Sequence, residues 1–242
     1  MNILFVGPLW EGSTSKQRLV ALEELDHHVI GVDTSPPVLP WILSLLNRVC
    51  CRLGFYWDLS DANKLLLEKI LNYSFDMIWI EKGLTIKPDT LKKIKSAQPS
   101  VKLVAFSPDN MLIKGNQSLR YLRGISLYDW HITTKSFNVL ELKSLGAHNV
   151  YFTVKSFDTN AYHPINLTEE EKKYWGSDVA FLGGYEKHRY EMMLALASRG
   201  VVITIWGPGW ERFVKIHPNL IIKPGWVQAE DCLLYTSPSP RD

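Results

Sequence analysis

Cysteine is scarce in this sequence: three in 242 residues, two of them adjacent at Cys50 and Cys51. Adjacent cysteines rarely bridge each other, and no C-x-x-C or comparable ligand spacing occurs. A disulfide-stapled scaffold is excluded, and the count fits a reducing compartment, the cytoplasm. Neither sign of charge is in surplus: Lys+Arg 27 against Asp+Glu 25 leaves a net charge of +2. There is therefore no general electrostatic case for nucleic acid. The N-terminus lacks the basic start and small-residue cleavage site of a signal peptide. No G-x-G-x-x-G fingerprint occurs. The seven histidines show no metal spacing, and His27 and His28 cannot share one face at the start of a strand, so no metal is expected. What remains is a globular composition, 46% hydrophobic and 21% charged, with length for one large domain or one and a half.

Short apolar runs alternate with helical patterns along the chain. Residues 3–6, 28–32, 77–80, 103–106, 131–133 and 150–154 read as strands. Residues 15–25 read as a helix with Leu19, Val20, Leu22 and Leu25 on one face. Further helices are expected at 64–71 behind an N-cap among residues 60–63, at 88–96 with Pro88 in the first turn, at 119–122, and at 139–145 closed by Gly146. The strands are continuous apolar runs, the pattern of a parallel sheet with helices on both faces. Repeated βα units imply an open α/β sheet. Residues 157–177 are polar, with a short solvated helix around Glu169 to Lys173. The βα pattern then restarts with strand 178–182, helix 189–199 closed by Gly200, and strands 201–206 and 219–222. The expected fold is α/β with two Rossmann-like domains: the first at 1–156, a linker at 157–177, and the start of a second domain at 178–231.

Residues 232–242 follow no helical or strand logic. They match, in order, the translation of a transposase adapter used in sequencing-library preparation, entered at its second base. Asp231 would share that origin through its third codon base. The segment is read as adapter-encoded, against a natural Ser/Pro-rich tail. On that reading the second domain is incomplete and the chain is a fragment.

The segment Asp158-Thr159-Asn160-Ala161-Tyr162-His163-Pro164 resembles the D-x-x-x-[FY]-x-P signature of GT-B glycosyltransferases, which consist of two Rossmann-like domains and a linker. Ser107-Pro108-Asp109-Asn110-Met111, His131 to Asn138, and Asp178-Val179-Ala180-Phe181-Leu182-Gly183-Gly184-Tyr185-Glu186 followed by Arg189 resemble the CgeB-like (spore maturation protein) branch. The resemblance implies transfer of a sugar, of the hexosyl type, from a nucleotide-sugar donor to an acceptor hydroxyl lying between the domains. It implies no bound metal or cofactor, because helix N-termini and basic groups stabilise the leaving diphosphate. The family's ribose-binding carboxylate, late in the second domain, has no counterpart here, so the chain alone is expected to be inactive.

Candidate site residues sit at strand ends, where open α/β sheets bind ligands. The loop from Gly7 to Thr14 offers helix-start N–H groups, but Pro8 and Leu9 break the glycine spacing and Glu11 repels phosphate. It is either a plain turn or, as the resemblance implies, the acceptor side of the cleft through Trp10, Glu11 and Gly12. Glu81 ends another strand and is placed on the same side, with Lys82 beside it. Asp109 is the candidate base of an inverting transferase, or an Asx turn or cap. Lys135 meets a phosphate or is simply solvated. Gly183 and Gly184 let a diphosphate approach the backbone, and Arg189 offers a planar fork to it. The alternative is a turn plus a surface arginine. Trp206 and Gly207 wall a nucleobase pocket, or Trp206 packs in the core.

Residues 38–55 hold Trp41, Ile42, Leu43, Leu45, Leu46, Val49 and Leu53, with Arg48 and Arg52 interleaved. Asn47 and both arginines argue against a membrane span. An ordinary amphipathic helix packed against the sheet is expected. The alternative is a helix at a membrane interface, or a lid over a lipid-linked acceptor, making the protein membrane-peripheral. The rival function is a non-catalytic α/β module that binds a small polar ligand or a partner. A nicotinamide-dependent oxidoreductase is disfavoured by the missing glycine fingerprint and by the absence of an acidic residue placed to hold the ribose.

Overall fold

A computed structural model of the chain describes residues 1–113, 116–160, 162–163 and 166–225. Ala161 and Pro164 of the signature, the end of the expected second domain (226–231) and the 232–242 tail lie outside the described residues. The chain divides into two compact units, Met1–Ser156 and Phe157–Asp242, so the polar segment 157–177 groups with the second.

Six parallel strands build the first unit: β1 (Asn2–Gly7), β2 (His28–Asp33), β3 (Met77–Glu81), β4 (Lys102–Ser107), β5 (Trp130–Thr133) and β6 (Val150–Phe152). Their spatial order is β2-β1-β3-β4-β5-β6. Between them run α1 (Thr14–Glu24), α2 (Trp41–Arg52), α3 (Ala62–Asn72), α4 (Pro88–Ala97), α5 (Leu119–Gly124) and α6 (Asn138–Ser144). The chain goes from β1 to β2 on one side, then returns past β1 to β3. The switch point therefore lies between β1 and β3, and their carboxyl ends form the ligand-binding edge of such sheets.

The two faces of this sheet are unequal. Leu4, Val6, Ile78, Ile80, Leu103 and Ala105 pack against Leu66 and Ile70 of α3, Leu91 and Ile94 of α4, Tyr121 of α5 and Leu142 of α6. On the opposite face Phe5, Trp79 and Phe106 form a ladder of stacked rings, with centroids 6.4 and 5.3 Å apart, and α1 lies over it. Helices thus lie on both faces, as expected, but cover the second one thinly. Trp130 and Tyr151 at the far strands stay exposed. The apolar face expected on α1 is only partly covered: Leu19 and Leu22 are half-buried, Val20 and Leu25 are exposed, and Ser15 is the buried residue of the helix. α1 is held instead by Leu19 close to Gly31 and by the polar grip of Arg18.

The α3 start differs in detail from the expected cap. Asp61 is left-handed (φ 53°) and makes no side-chain cap bond. The carboxylate of Asp58 instead accepts the N–H groups of Ala62 (2.9 Å) and Asn63 (3.0 Å). α2 also overturns its expected packing, since none of its residues is buried.

The second unit holds α7 (Glu169–Trp175), β7 (Ala180–Leu182), α8 (Lys187–Ala197), β8 (Ile203–Gly207) and β9 (Leu220–Pro224), with parallel strands in the order β7-β8-β9. α7 starts in a capping box between Thr168 and Glu171. Met193 and Ala197 of α8 pack on Ile203, Ile205, Trp210 and Leu220. The β7 and β8 ends interlock at two glycines. Gly207 has φ 145°, and a Cβ there would stand 2.2 Å from the carbonyl oxygen of Gly183. That oxygen accepts the indole N–H of Trp210 at 2.9 Å. A backbone clash cannot be relieved by a rotamer change. Gly207→Ala should therefore destabilise the second unit by about 1–3 kcal/mol while sparing the first. Urea unfolding followed by hydrogen exchange of each unit would check this.

Candidate functional site

A cleft of about 650 Å³ opens on the α1 face of the first unit, at the carboxyl ends of its strands. Its floor is one register row: Glu81 pairs with Phe106, Phe106 with Ile132, and Ile132 with Tyr151. Gly7 flanks this row. A Cβ at Gly7 would meet the Glu81 side chain at 2.8 Å, so the bare backbone is what lets the carboxylate stem lie flat.

Glu81 is the centre of the floor, with its side chain only 2% exposed. Arg18 of α1 grips both oxygens, donating from Nε at 2.8 Å and from Nη2 at 2.7 Å. The indole N–H of Trp79 adds a third bond at 2.9 Å. The Arg18 guanidinium also lies 4.6 Å from the centre of the Phe106 ring. This bidentate pair satisfies a charge that would otherwise be buried without compensation.

Asp109 lies at the cleft wall after β4. Lys82, left-handed at φ 57° just past β3, reaches it with Nζ 2.6 Å from Oδ2. The Lys82 hydrogen bond, reinforced by its charge and by those of Lys155 and Lys135, outweighs desolvation and holds the Asp109 carboxyl below the usual range. Asp109 is therefore ionised at neutral pH, able to accept a proton, but weakened as a base by its partner. Its backbone N–H donates to Ser107 Oγ at 3.2 Å and its carbonyl accepts from the same hydroxyl at 3.0 Å, so the turn here is made by the Ser107 side chain, and the Asp109 carboxylate faces Lys82.

The other acceptor-side candidates separate. Trp10, 51% exposed, lines the cleft. Glu11 and Gly12 do not: Glu11 points to solvent in an ion pair with Lys16, and Gly12 makes the turn into α1. Lys135 stands outside the lining and acts on Asp109 only through its charge. Arg18, Trp79 and Lys155, which line the cleft, were not singled out from the sequence. Arg18 sits 63 residues from Glu81, and nothing in a linear pattern joins them.

The argument from a missing ribose carboxylate also needs correction. Asp33 stands at the end of β2, the place where dinucleotide folds hold a ribose. Its Oδ1 is already bonded to the N–H of Leu9 (2.9 Å), the N–H of Ser35 (2.8 Å) and the Ser35 hydroxyl (2.6 Å). The carboxylate pins the β1–α1 loop.

In the second unit, Gly184, Tyr185, Pro208, Gly209, Glu211 and Arg212 surround an open depression of about 580 Å³. Arg189 turns back into its own loop, donating to the Gly184 carbonyl at 3.0 Å and pairing with Glu186 at 2.9 Å. Arg212, overlooked in the sequence, is the cation beside the depression, stacked 4.3 Å from the Tyr185 ring centre. Trp206 is 3% exposed and stacks on Trp175 at 6.0 Å, so it packs rather than walls an open pocket. Among the described residues no three His, Cys, Asp or Glu gather where they could hold a metal ion.

No protein-family model and no curated protein matches the chain. Among solved structures, the chain is similar to Alr3699/HepE of Anabaena, crystallised in complex with UDP and glucose. The identity is 14% and the TM-score 0.50, over 97% of this chain and 72% of that one. A UDP-glucosyltransferase from Polygonum tinctorium is matched at 11% identity and a TM-score of 0.46, over 94% of this chain and 72% of that one. The likeness to HepE shows the fold: α/β, with two Rossmann-like units on the GT-B plan, of which the second holds the smaller sheet.

Arg18→Met strands a buried carboxylate and should cost about 3 kcal/mol, whereas Arg18→Met with Glu81→Met should recover part of that loss. Chemical denaturation of the single and double variants would compare them. The Asp109 carboxyl, depressed in the folded chain, contributes stability above the unfolded value of about 4, which is lost as the pH falls through the folded value. Both partners are near 40% exposed (42% and 41%), so the contribution should stay below about 1 kcal/mol. Lys82→Met should raise the Asp109 titration point, as read by carbon NMR of the side-chain carboxyl.

Proposed function

We propose that this chain is the acceptor-binding unit and the opening part of the donor-binding unit of a glycosyltransferase. The observation that carries the reading is the cleft over the β1/β3 switch point. Its fixed carboxylates and cations stand beside the aromatic surfaces of Trp10, Trp79 and Tyr151. Charged groups suit the hydroxyls of a polyhydroxylated acceptor, and ring faces suit its apolar patches. The GT-B plan shared with HepE supports the same reading at the level of fold.

In the proposed reaction the acceptor hydroxyl oxygen attacks the anomeric carbon of a nucleotide sugar. The bond from that carbon to the diphosphate breaks, and the diphosphate leaves with the electron pair. In an inverting reaction Asp109 takes the hydroxyl proton, once the acceptor draws its carboxylate away from Lys82. Gly184, at the open depression, is assigned to the diphosphate, where a backbone without a side chain lets it approach. Gly183, whose N–H is taken by the Trp206 carbonyl, and Gly207, packed on Gly183, shape the loop instead of offering free N–H groups. Arg212 is a cation for it, and Arg189 shapes the loop through Gly184. A hexose, a CgeB-like acceptor branch and catalysis without a bound metal remain part of this proposal.

The second reading, a non-catalytic binding module, is favoured by one observation. Glu81, Asp109 and Arg189 are each already ion-paired within their own unit. One experiment separates the two. Calorimetry with UDP, GDP, ADP and their glucose conjugates should find one nucleotide bound, weakened at least about tenfold by Arg212→Ala. In a chain with a complete second unit, supplied with that donor, Asp109→Asn should lower sugar transfer by about 10²–10⁴-fold while leaving nucleotide binding intact. A folded chain with a complete second unit that binds none of the panel would overturn the donor assignment. Nucleotide binding without transfer or donor hydrolysis, in that same chain, would favour the binding module.

A further inference from the structure

The outward face of α2 is its apolar one. Ile42, Leu45, Leu46, Val49 and Leu53 recur at the spacing of one helical stripe, and each is between 47% and 66% exposed. Trp41, in the first turn, is 76% exposed. The side turned inward is small and polar. Ser44, Asn47 and Cys51 are half-buried, and Cys51 donates to Asn47 Oδ1 at 3.7 Å. Asn47 and Cys51 roof a cavity of about 320 Å³ that extends to Pro8, Glu81 and Lys82 at the edge of the main cleft. A helix packed on its own domain has these faces the other way round.

The charge beside the stripe is mostly positive. From Thr34 to Trp57 the sequence contains no carboxylate, so the charge on this segment itself is positive. Arg48 and Arg52 border the stripe one turn apart. Lys92 and Arg123 stand at the depression beside Cys50, Gly54 and Phe55, where Asp89 is the carboxylate. Twelve residues make a rod of about 18 Å, and among the described residues no helix is long and apolar enough to cross a membrane.

We propose that α2 seats the protein on an anionic lipid surface. The helix lies in the plane of the interface, with the Ile42–Leu53 stripe among the upper acyl chains and Arg48 and Arg52 at the headgroup phosphates. A protein partner would also cover apolar side chains, but a margin of predominantly positive charge beside a continuous stripe is what an anionic headgroup layer complements. The inference stands apart from sugar transfer, because it rests only on the α2 faces and the charges beside them.

Co-sedimentation of the 242-residue chain with vesicles of phosphatidylcholine, with or without phosphatidylglycerol, tests it. The chain should bind the phosphatidylglycerol vesicles at least about tenfold more tightly than phosphatidylcholine alone. Leu45→Glu with Val49→Glu should abolish binding. Both positions are exposed, so the thermal unfolding transition of that variant should be unchanged. Arg48→Gln with Arg52→Gln should remove most of the preference for phosphatidylglycerol. A chain left in the supernatant with every vesicle would overturn the proposal, as would equal sedimentation of the Glu variant. Analytical ultracentrifugation without lipid covers the remaining occupant: a dimer that the Glu variant dissociates would overturn the proposal in favour of a second copy of the chain.

Discussion

One buried carboxylate organises the first unit. Glu81 ends β3, rests its stem on Gly7 of β1, takes the indole N–H of Trp79 and receives both donors of Arg18 from α1. Two strands and a helix are thereby tied together at the switch point. A buried ion pair of this kind adds little net stability over an apolar packing of the same shape, but breaking it on one side is costly. Its value here is positional: it holds α1 over an otherwise thinly covered face and keeps the cleft floor in one register row. α1 has too little apolar contact to do this by burial, which is why the polar grip matters.

The two candidate sites share a physical character. Their charged groups are engaged before any ligand arrives: Glu81 with Arg18, Asp109 with Lys82, Arg189 with Glu186. Prior pairing orients these side chains and lowers the entropy lost on binding. It also means that a ligand must offer something better than the internal partner. For Glu81, with its side chain 2% exposed, no exchange is available without unfolding the floor. For Asp109 and Lys82, both partly exposed, water already competes and exchange is cheap. Positioning therefore belongs to Glu81 and Arg18, and proton chemistry, in the proposed reaction, to Asp109.

α1 and α2 present opposite solutions to the same problem. α1 covers a ring ladder with few apolar side chains and depends on Arg18. α2 has the apolar stripe that α1 lacks but turns it outward, because Asn47 and Cys51 face the cavity beside Glu81 and Lys82. The apolar segment of the chain thus stands near the mouth of its principal cleft, so the two surfaces share one edge of the first unit.

Much of the fold was legible in the sequence. Parallel strands buried on both sides are continuous apolar runs, and 3–6, 77–80 and 103–106 announced themselves in that way. Gly146 and Gly200 marked helix ends because a positive φ suits glycine. The position of Asp109 after a strand was equally readable. These are local properties, set by backbone conformation within a few residues. Tertiary structure decided everything that depends on which strands become neighbours. It placed Arg18 on Glu81 across 63 residues, made Asp33 a loop pin rather than a ribose ligand, folded Arg189 back onto Gly184, and chose Arg212 as the cation beside the depression. It also decided which side of α2 faces inward. Periodicity reveals that a stripe exists, but its direction follows from the packing of distant segments, which no window of sequence contains.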